Sequence, residues 1–276
     1  MHSVNANGAQ IPALGLGTWT LSGDDCAELV LRALSVGYRH IDTAAAYGNE
    51  KDVGVGLRAS DVARDDVFVT TKVWWTDIAP GDLERSTEAS LKHLGLDQVD
   101  LLLIHWPNPK IPLAGSIKAL NAMKRTGLAR HIGVSNFPTA LLSQAIALSE
   151  EPLVANQVEN HPYLDQRKVY RLCRDNGMAL VSYCPLYRGG DLFSENAIRD
   201  AAARHGRTPG QIVLRWHVQQ EGVVAIPRTT KIERLSENIA IFDFALSDEE
   251  MAAISALTGR NARLCDFGFS PEWDAA

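Results

Sequence analysis

The sequence predicts a (β/α)8 TIM barrel preceded by a β-hairpin and followed by a C-terminal tail over the barrel mouth. Eight short apolar, β-branched runs alternate with longer amphipathic segments, the pattern of parallel strands joined by helices. Several runs, such as VDLLLIH and MALVSY, are almost continuously apolar, as strands buried on both faces are. Glycines 37, 95, 127, 177 and 206 follow helical patterns where left-handed C-caps are expected. No repeat, low-complexity stretch or linker divides the chain, so residues 1–276 are read as a single domain of the size such barrels have.

Along the chain, Asn7-Gly8 between short alternating segments is a strong two-residue hairpin signal. Strands are expected at 13–17, 38–42, 67–72, 99–105, 131–135, 153–157, 178–183 and 222–226. Helices are expected at 26–35, 82–93, 113–125, 139–148, 166–176 and 195–205, then from Thr208-Pro209 to 220, and at 248–257 after the cap Ser247. An open doubly wound sheet would want a phosphate-binding glycine turn after an early strand. Gly54-Val55-Gly56-Leu57-Arg58-Ala59 fits G-x-G-x-x-A in letters only, because the preceding NEKDV is polar and reads as helix.

A formal net charge of −6 provides no broad basic surface, so neither nucleic acid nor an anionic membrane is an expected partner. No apolar run is long enough to span a bilayer, and residues 1–12 do not read as a signal peptide. Cys26, Cys173, Cys184 and Cys265 lack paired or metal-type spacing, which suggests reduced thiols, no metal site and a cytoplasmic location.

In a barrel the active site lies at the C-terminal strand ends. The second strand ends in Asp42 with Tyr47 in the loop beyond, the third in Lys72 and the fourth in His105. Separately these are a helix cap, a solvated lysine and a core histidine. Together, on neighbouring strands about 4.8 Å apart, they should converge. Lys72 follows VFVTT, so it is desolvated and needs a carboxylate, for which Asp42 is nearest. An ammonium beside Tyr47 is expected to lower the phenol pKa from about 10 and make it a proton donor, with His105 holding a carbonyl oxygen. With no nucleophile among these residues, electrons must come from a cofactor, most simply as hydride. Beyond the eighth strand, Arg228, Lys231 and Arg234 crowd the start of a helix, where this barrel commonly binds phosphate.

The chain resembles the aldo-keto reductases over essentially its whole length, most closely the bacterial 2,5-diketo-D-gluconate and methylglyoxal reductases. The resemblance rests on GLGTW, GYRHIDTAAAYGNE, VTTKVW, LKHLGLDQVDLLLIHWP, HIGVSNF, NQVENHPYL, SYCPL and IPRTTKIERLSEN. It implies NAD(P)H-dependent carbonyl reduction with a tetrad of Asp42, Tyr47, Lys72 and His105. It further implies that Ser135, Asn136 and Gln157 hold the nicotinamide carboxamide, that Tyr183 stacks on the ring, and that Leu186 lines the cofactor channel. Arg228 and Thr229 are implied at the adenosine 2′-phosphate, Arg234 on the adenine, and Glu237 and Asn238 as its hydrogen-bond partners, so NADPH is the expected cofactor. The loop departs from the family pattern at Cys184, Tyr187 and Arg188, and the tail ending SPEWD is that of the bacterial group.

Trp19, Trp74, Trp75 and Trp106 fall just beyond strand ends, and with Trp273 of the tail they predict an aromatic-walled pocket, Trp75 being the one read as rim packing. Small dicarbonyls, aromatic aldehydes and keto-sugar acids are the expected substrates, with Arg260 or Arg263 as a carboxylate partner. An NADPH-binding regulatory subunit of the same fold is the alternative, disfavoured by the intact tetrad. A monomer is the default.

Overall fold

A computed structural model describes residues 1–275. It opens with the antiparallel hairpin β1 (Ser3–Ala6) and β2 (Ala9–Pro12). Asn7 and Gly8 have φ of 46° and 89°, the two left-handed residues that a tight twisted hairpin requires. The Asn7 amide donates to the carbonyls of Leu153 (2.8 Å) and Asn176 (3.0 Å), fastening the hairpin across the N-terminal ends of two barrel strands.

The barrel follows as β3 (Leu16–Gly17), α1 (Gly23–Ser35), β4 (His40–Asp42), α2 (Glu50–Ala59), β5 (Phe68–Val73), α3 (Asp82–Leu94), β6 (Val99–Ile104), α4 (Leu113–Arg125), β7 (Ala129–Ser135), α5 (Thr139–Leu148), β8 (Leu153–Glu159), α6 (Arg167–Asp175), β9 (Ala179–Tyr183), α7 (Asn196–His205), α8 (Pro209–Gln219), β10 (Val223–Ala225), α9 (Glu233–Ile239) and α10 (Asp248–Ser255). The eight strands β3 to β10 pair in parallel and in sequence order. Closure comes from Leu14 opposite Ala225, with the Gly15 N–H donating to the Ala225 carbonyl and the Ala225 N–H to the Ala13 carbonyl, both at 2.9 Å. Residues 13–17 therefore divide their bonding. Residues 13–15 meet β10, the Gly17 N–H extends that seam to the Pro227 carbonyl (3.0 Å), and Leu16 and Gly17 pair with β4 on the other side.

Every residue of β5, β6 and β8 is buried, as the apolar runs require of strands covered on both faces. Strand β8 continues past Gln157 to Glu159, two residues beyond its expected end. Helix α2 absorbs the whole G-x-G-x-x-A string. Its glycines serve packing: a Cβ at Gly54 would lie 2.3 Å from the Leu94 carbonyl oxygen, and one at Gly56 2.5 Å from that of Ala27. Helix α8 starts on a reciprocal cap in which Thr208 Oγ1 accepts from the Gln211 N–H and the Gln211 side chain accepts from the Thr208 N–H. None of the described helices is long and apolar enough to cross a membrane.

Residues 261–275 of the tail have no helix or strand, yet they are tied down at several points. The Ala262 N–H donates to the Tyr163 carbonyl (2.8 Å). Asp274 accepts from the Thr139 N–H and hydroxyl, and Lys168 reaches the Ala275 carbonyl. Its aromatic side chains spread over the tryptophans at the strand ends, so the tail does cover the mouth.

Candidate active site

Strand register brings the chemistry together. Asp42 is the last residue of β4, Lys72 is the penultimate residue of β5 and His105 immediately follows β6, while Tyr47 ends a single 3-10 turn after β4. Lys72 is fully buried and Asp42 nearly so, with Nζ 2.5 Å from Oδ1. The ammonium also donates to the Thr43 carbonyl (2.8 Å) and stands 3.4 Å from the Tyr47 hydroxyl. The Tyr47 ring lies edge-on to His105, with centroids 5.6 Å apart. All four predicted side chains therefore meet at one point of the barrel rim.

Burial pushes the Lys72 ammonium below its ordinary pKa, and the Asp42 carboxylate opposes that shift. Burial drives His105 well below the usual histidine range, with Lys72 adding to the effect, so the imidazole is neutral. For Tyr47 the sequence expectation needs correction. Burial, followed by the negative Asp42 carboxylate, raises the phenol well above 10. The resting group is a firmly protonated phenol.

A second polar cluster surrounds this one. Gln157 Nε2 donates to Asp42 Oδ2 at 2.7 Å, a link across the barrel that the sequence reading missed because 115 residues separate the partners. Ser135 Oγ donates to the Gln157 carbonyl (2.8 Å) and accepts from Asn136 Nδ2 (3.1 Å). The Tyr183 hydroxyl donates to Asn136 Oδ1 (2.8 Å). Asn136 is buried at φ 63°, a conformation disfavoured for a side-chain-bearing residue and held by these bonds. Ser135, Asn136, Gln157 and Tyr183 thus form one connected network. Leu186 is half-buried against the barrel core.

The residues after β10 are more spread out. The exposed Arg228 guanidinium bends back to the Trp19 carbonyl (3.2 Å) and the Thr20 hydroxyl. Thr229 is buried and its Oγ1 accepts from the Lys231 N–H (3.0 Å), whereas Arg234 is exposed. Glu237 accepts from the Thr208 hydroxyl (2.6 Å), and Asn238 is buried. Because α9 is only seven residues long, its dipole is small and side chains must supply any anion binding there.

Around the mouth, Trp74 lies edge-on to His105 (5.1 Å), and Trp106 meets Trp273 at 6.0 Å. Phe269 stacks on Trp75 (5.1 Å, 16°) and sits edge-on to Trp74 and Trp106, so it is the hub of the aromatic wall, and Trp75 supports the tail through it. Trp19 is 48% exposed at the rim. Arg260 is committed to Glu195 and lies over Tyr163, while Arg263 lies over Trp273 at 3.8 Å with a buried unpartnered Nη1. The anchor for the tail is Glu159, fully buried, whose carboxylate accepts from the N–H groups of Leu264 (2.6 Å) and Cys265 (2.7 Å) and pairs with His161 (2.8 Å). Nothing local in the sequence marks Glu159 for this role.

A phenol, an ammonium and an imidazole around one point can hold a carbonyl oxygen and protonate it. The aldo/keto reductase family profile matches residues 13–258. Methylglyoxal reductase DkgA of Yersinia pestis is 42% identical over 253 residues, covering 91% of this chain and 90% of the relative. Glyoxal reductase of Bacillus subtilis is 40% identical over 252 residues, covering 91% of this chain and 90% of the relative. A crystal structure provisionally named 2,5-diketo-D-gluconic acid reductase B superposes with a TM-score of 0.96 at 46% identity, covering 100% of this chain and 98% of the other. The chain belongs to the aldo/keto reductase family and is an oxidoreductase of the (β/α)8 barrel class.

Proposed function

We infer that this protein reduces small aldehydes and ketones to alcohols with NADPH, and that Tyr47 is the proton donor. The observation that carries the reading is the Lys72 ammonium, buried on Asp42 and 3.4 Å from the Tyr47 hydroxyl. The phenol stays protonated until a substrate oxygen gains negative charge. It then donates its proton, and the phenolate left behind faces a cation already in place. Neutral His105 donates a second hydrogen bond to the same oxygen and fixes which carbonyl face is presented. Asp42 acts through Lys72 and does not touch the substrate.

The polar groups available fit a dinucleotide. Ser135, Asn136 and Gln157 offer donors and acceptors suited to a carboxamide, Tyr183 offers an aromatic face beside them, and Leu186 offers an apolar contact. Exposed Arg228 with Thr229 suits a 2′-phosphate, since a guanidinium fork matches phosphate oxygens, and Arg234, Glu237 and Asn238 are within the same segment for an adenine. When bound, the reduced nicotinamide supplies the hydride. Gln157 would join the two halves of the site, because the residue assigned to the carboxamide also positions Asp42.

The aromatic wall of Trp74, Trp106, Phe269 and Trp273, with Trp19 at the rim, favours compact or planar carbonyl compounds. Methylglyoxal, glyoxal and aromatic aldehydes are the proposed substrates, with keto-sugar acids as larger ones. The test is a carbonyl panel run with each reduced cofactor on wild type, Tyr47→Phe and Arg228→Ala. Tyr47→Phe should lower kcat by on the order of 100- to 10,000-fold with NADPH affinity near normal. Arg228→Ala should weaken NADPH and spare NADH. Wild type without turnover on any member, or full activity in Tyr47→Phe, would sink the assignment.

A further inference from the structure

An asparagine just before a helix ordinarily caps it. Asn49 stands in that place before α2, yet its side chain makes no cap bond. It is fully buried, and its amide is spent elsewhere. Nδ2 donates to the Thr18 carbonyl (2.8 Å) and the Leu21 carbonyl (2.9 Å), while Oδ1 accepts from the Thr43 hydroxyl (2.8 Å). Thr18 in turn donates to the Asp42 carbonyl from both its N–H and its hydroxyl, each at 3.0 Å. Asp42, Thr18, Asn49 and Thr43 are therefore joined in a closed ring of hydrogen bonds, with Thr18 and Thr43 as fully buried as Asn49.

Tyr47 lies on the stretch of chain that this ring closes. The 3-10 turn Ala45–Tyr47 and Gly48, at φ 68°, run between Thr43 and Asn49, and the bond from the Thr43 hydroxyl to Asn49 Oδ1 ties the two ends of that stretch together. The carbonyl of the same Thr43 accepts from Lys72 Nζ at 2.8 Å. One residue thus faces both sides of the proton donor: its carbonyl holds the ammonium, and its hydroxyl holds the loop that carries the phenol. The 3.4 Å between Lys72 Nζ and the Tyr47 hydroxyl is set through Thr43.

We propose that Asn49 and Thr43 are positioning residues, a buried clamp that fixes Tyr47 against Lys72 for proton donation. The proposal rests on the role of Tyr47 inferred above. A proton donor must stand within hydrogen-bonding reach of the oxygen as charge develops on it, and a misplacement of about 1 Å costs on the order of 100-fold in rate. Asn49 and Thr43 act through Tyr47 and Lys72. The side-chain types follow from the partners: two carbonyls need two N–H donors and a hydroxyl needs an acceptor, which one amide supplies. Aspartate at position 49 would turn an oxygen toward two carbonyl oxygens. Valine at position 43 keeps the shape of threonine and removes the donor.

Thr43→Val, Thr43→Ser and Asn49→Ala should be compared with wild type as full-length proteins. Hydrogen exchange of residues 43–49, read without substrate or cofactor, should quicken roughly tenfold in Thr43→Val and stay near the wild-type rate in Thr43→Ser. With NADPH and methylglyoxal, Thr43→Val should lose roughly 10- to 100-fold in kcat, while the KM for the carbonyl and the Kd for NADPH stay near wild type. Thr43→Ser, which keeps the hydroxyl, should recover most of that kcat. Asn49→Ala should lose at least as much as Thr43→Val, and where it fails to fold the two Thr43 variants decide. Unchanged exchange or unchanged kcat in Thr43→Val, or an equal loss in Thr43→Ser, would overturn the clamp. A wild type without turnover would count against the function inferred above, and the exchange of Thr43→Val would then decide the clamp by itself.

Discussion

The Asp42–Lys72 pair is where the residue scale decides most. Removing both charges from water is costly, and the cost is met only because Asp42 accepts from Lys72 and Gln157 while Lys72 also donates to the Thr43 carbonyl. Lys72→Met should therefore destabilise the fold by about 3–5 kcal/mol, because it strands a buried carboxylate. The Asp42→Asn, Lys72→Met double variant should cost clearly less than the two single changes added together. Equilibrium denaturation in urea measures both, and additive single-variant costs would show that the pair is not coupled. That Asp42, Tyr47, Lys72 and His105 meet was legible in the sequence because each stands at or just past the end of an apolar run, where strand direction alone sets its position. The protonation state of Tyr47 was not legible, because it depends on how dry the site is and on how near the Asp42 carboxylate lies once the barrel has closed.

At the scale of elements, α2 shows how a motif can mislead by its letters. Gly54 and Gly56 are absent of side chains so that α2 can approach the end of α3 and the middle of α1, and no phosphate is involved. Gly54→Ala places a methyl group against the Leu94 backbone, which cannot yield as a flexible side chain would. A loss of about 1–3 kcal/mol is expected from overpacking, against the slight gain that alanine ordinarily gives inside a helix. Thermal unfolding checks the sign, and a raised midpoint would contradict the packing account. The helical reading of NEKDV was enough to reject the nucleotide fingerprint, but not to find the glycines' real use, since that lies in two other helices far along the chain, at Leu94 for Gly54 and at Ala27 for Gly56.

The whole molecule carries its pH limits in buried histidines. Burial holds His40 down at about 4 and His217 at about 3, against an unfolded value of 6.5. His40 meets Thr70 Oγ1 and His217 the Pro185 carbonyl, both at 3.1 Å, and each leaves its Nδ1 buried and unpartnered. Below about 6.5 the unfolded chain takes up protons that the folded one refuses, so stability is complete above that pH and declines as pH falls from about 6.5 toward about 4 and 3. Unfolding midpoints measured from pH 8 to 4 should be flat in the upper part and fall below 6.5. In His217→Gln the fall should be shallower, and an unchanged slope would remove His217 from the cause.

By itself the sequence determined the barrel, the order of its strands, the hairpin, and the four side chains at three adjacent strand ends. These follow from local periodicity and from the rule that parallel strands all point one way. Tertiary structure alone decided which groups meet across the barrel: Gln157 on Asp42, Glu159 on the tail, and Phe269 among the tryptophans. Such contacts join residues far apart in the chain, and their partners are chosen by barrel closure and by the path of a tail with no periodicity, neither of which leaves a local signal.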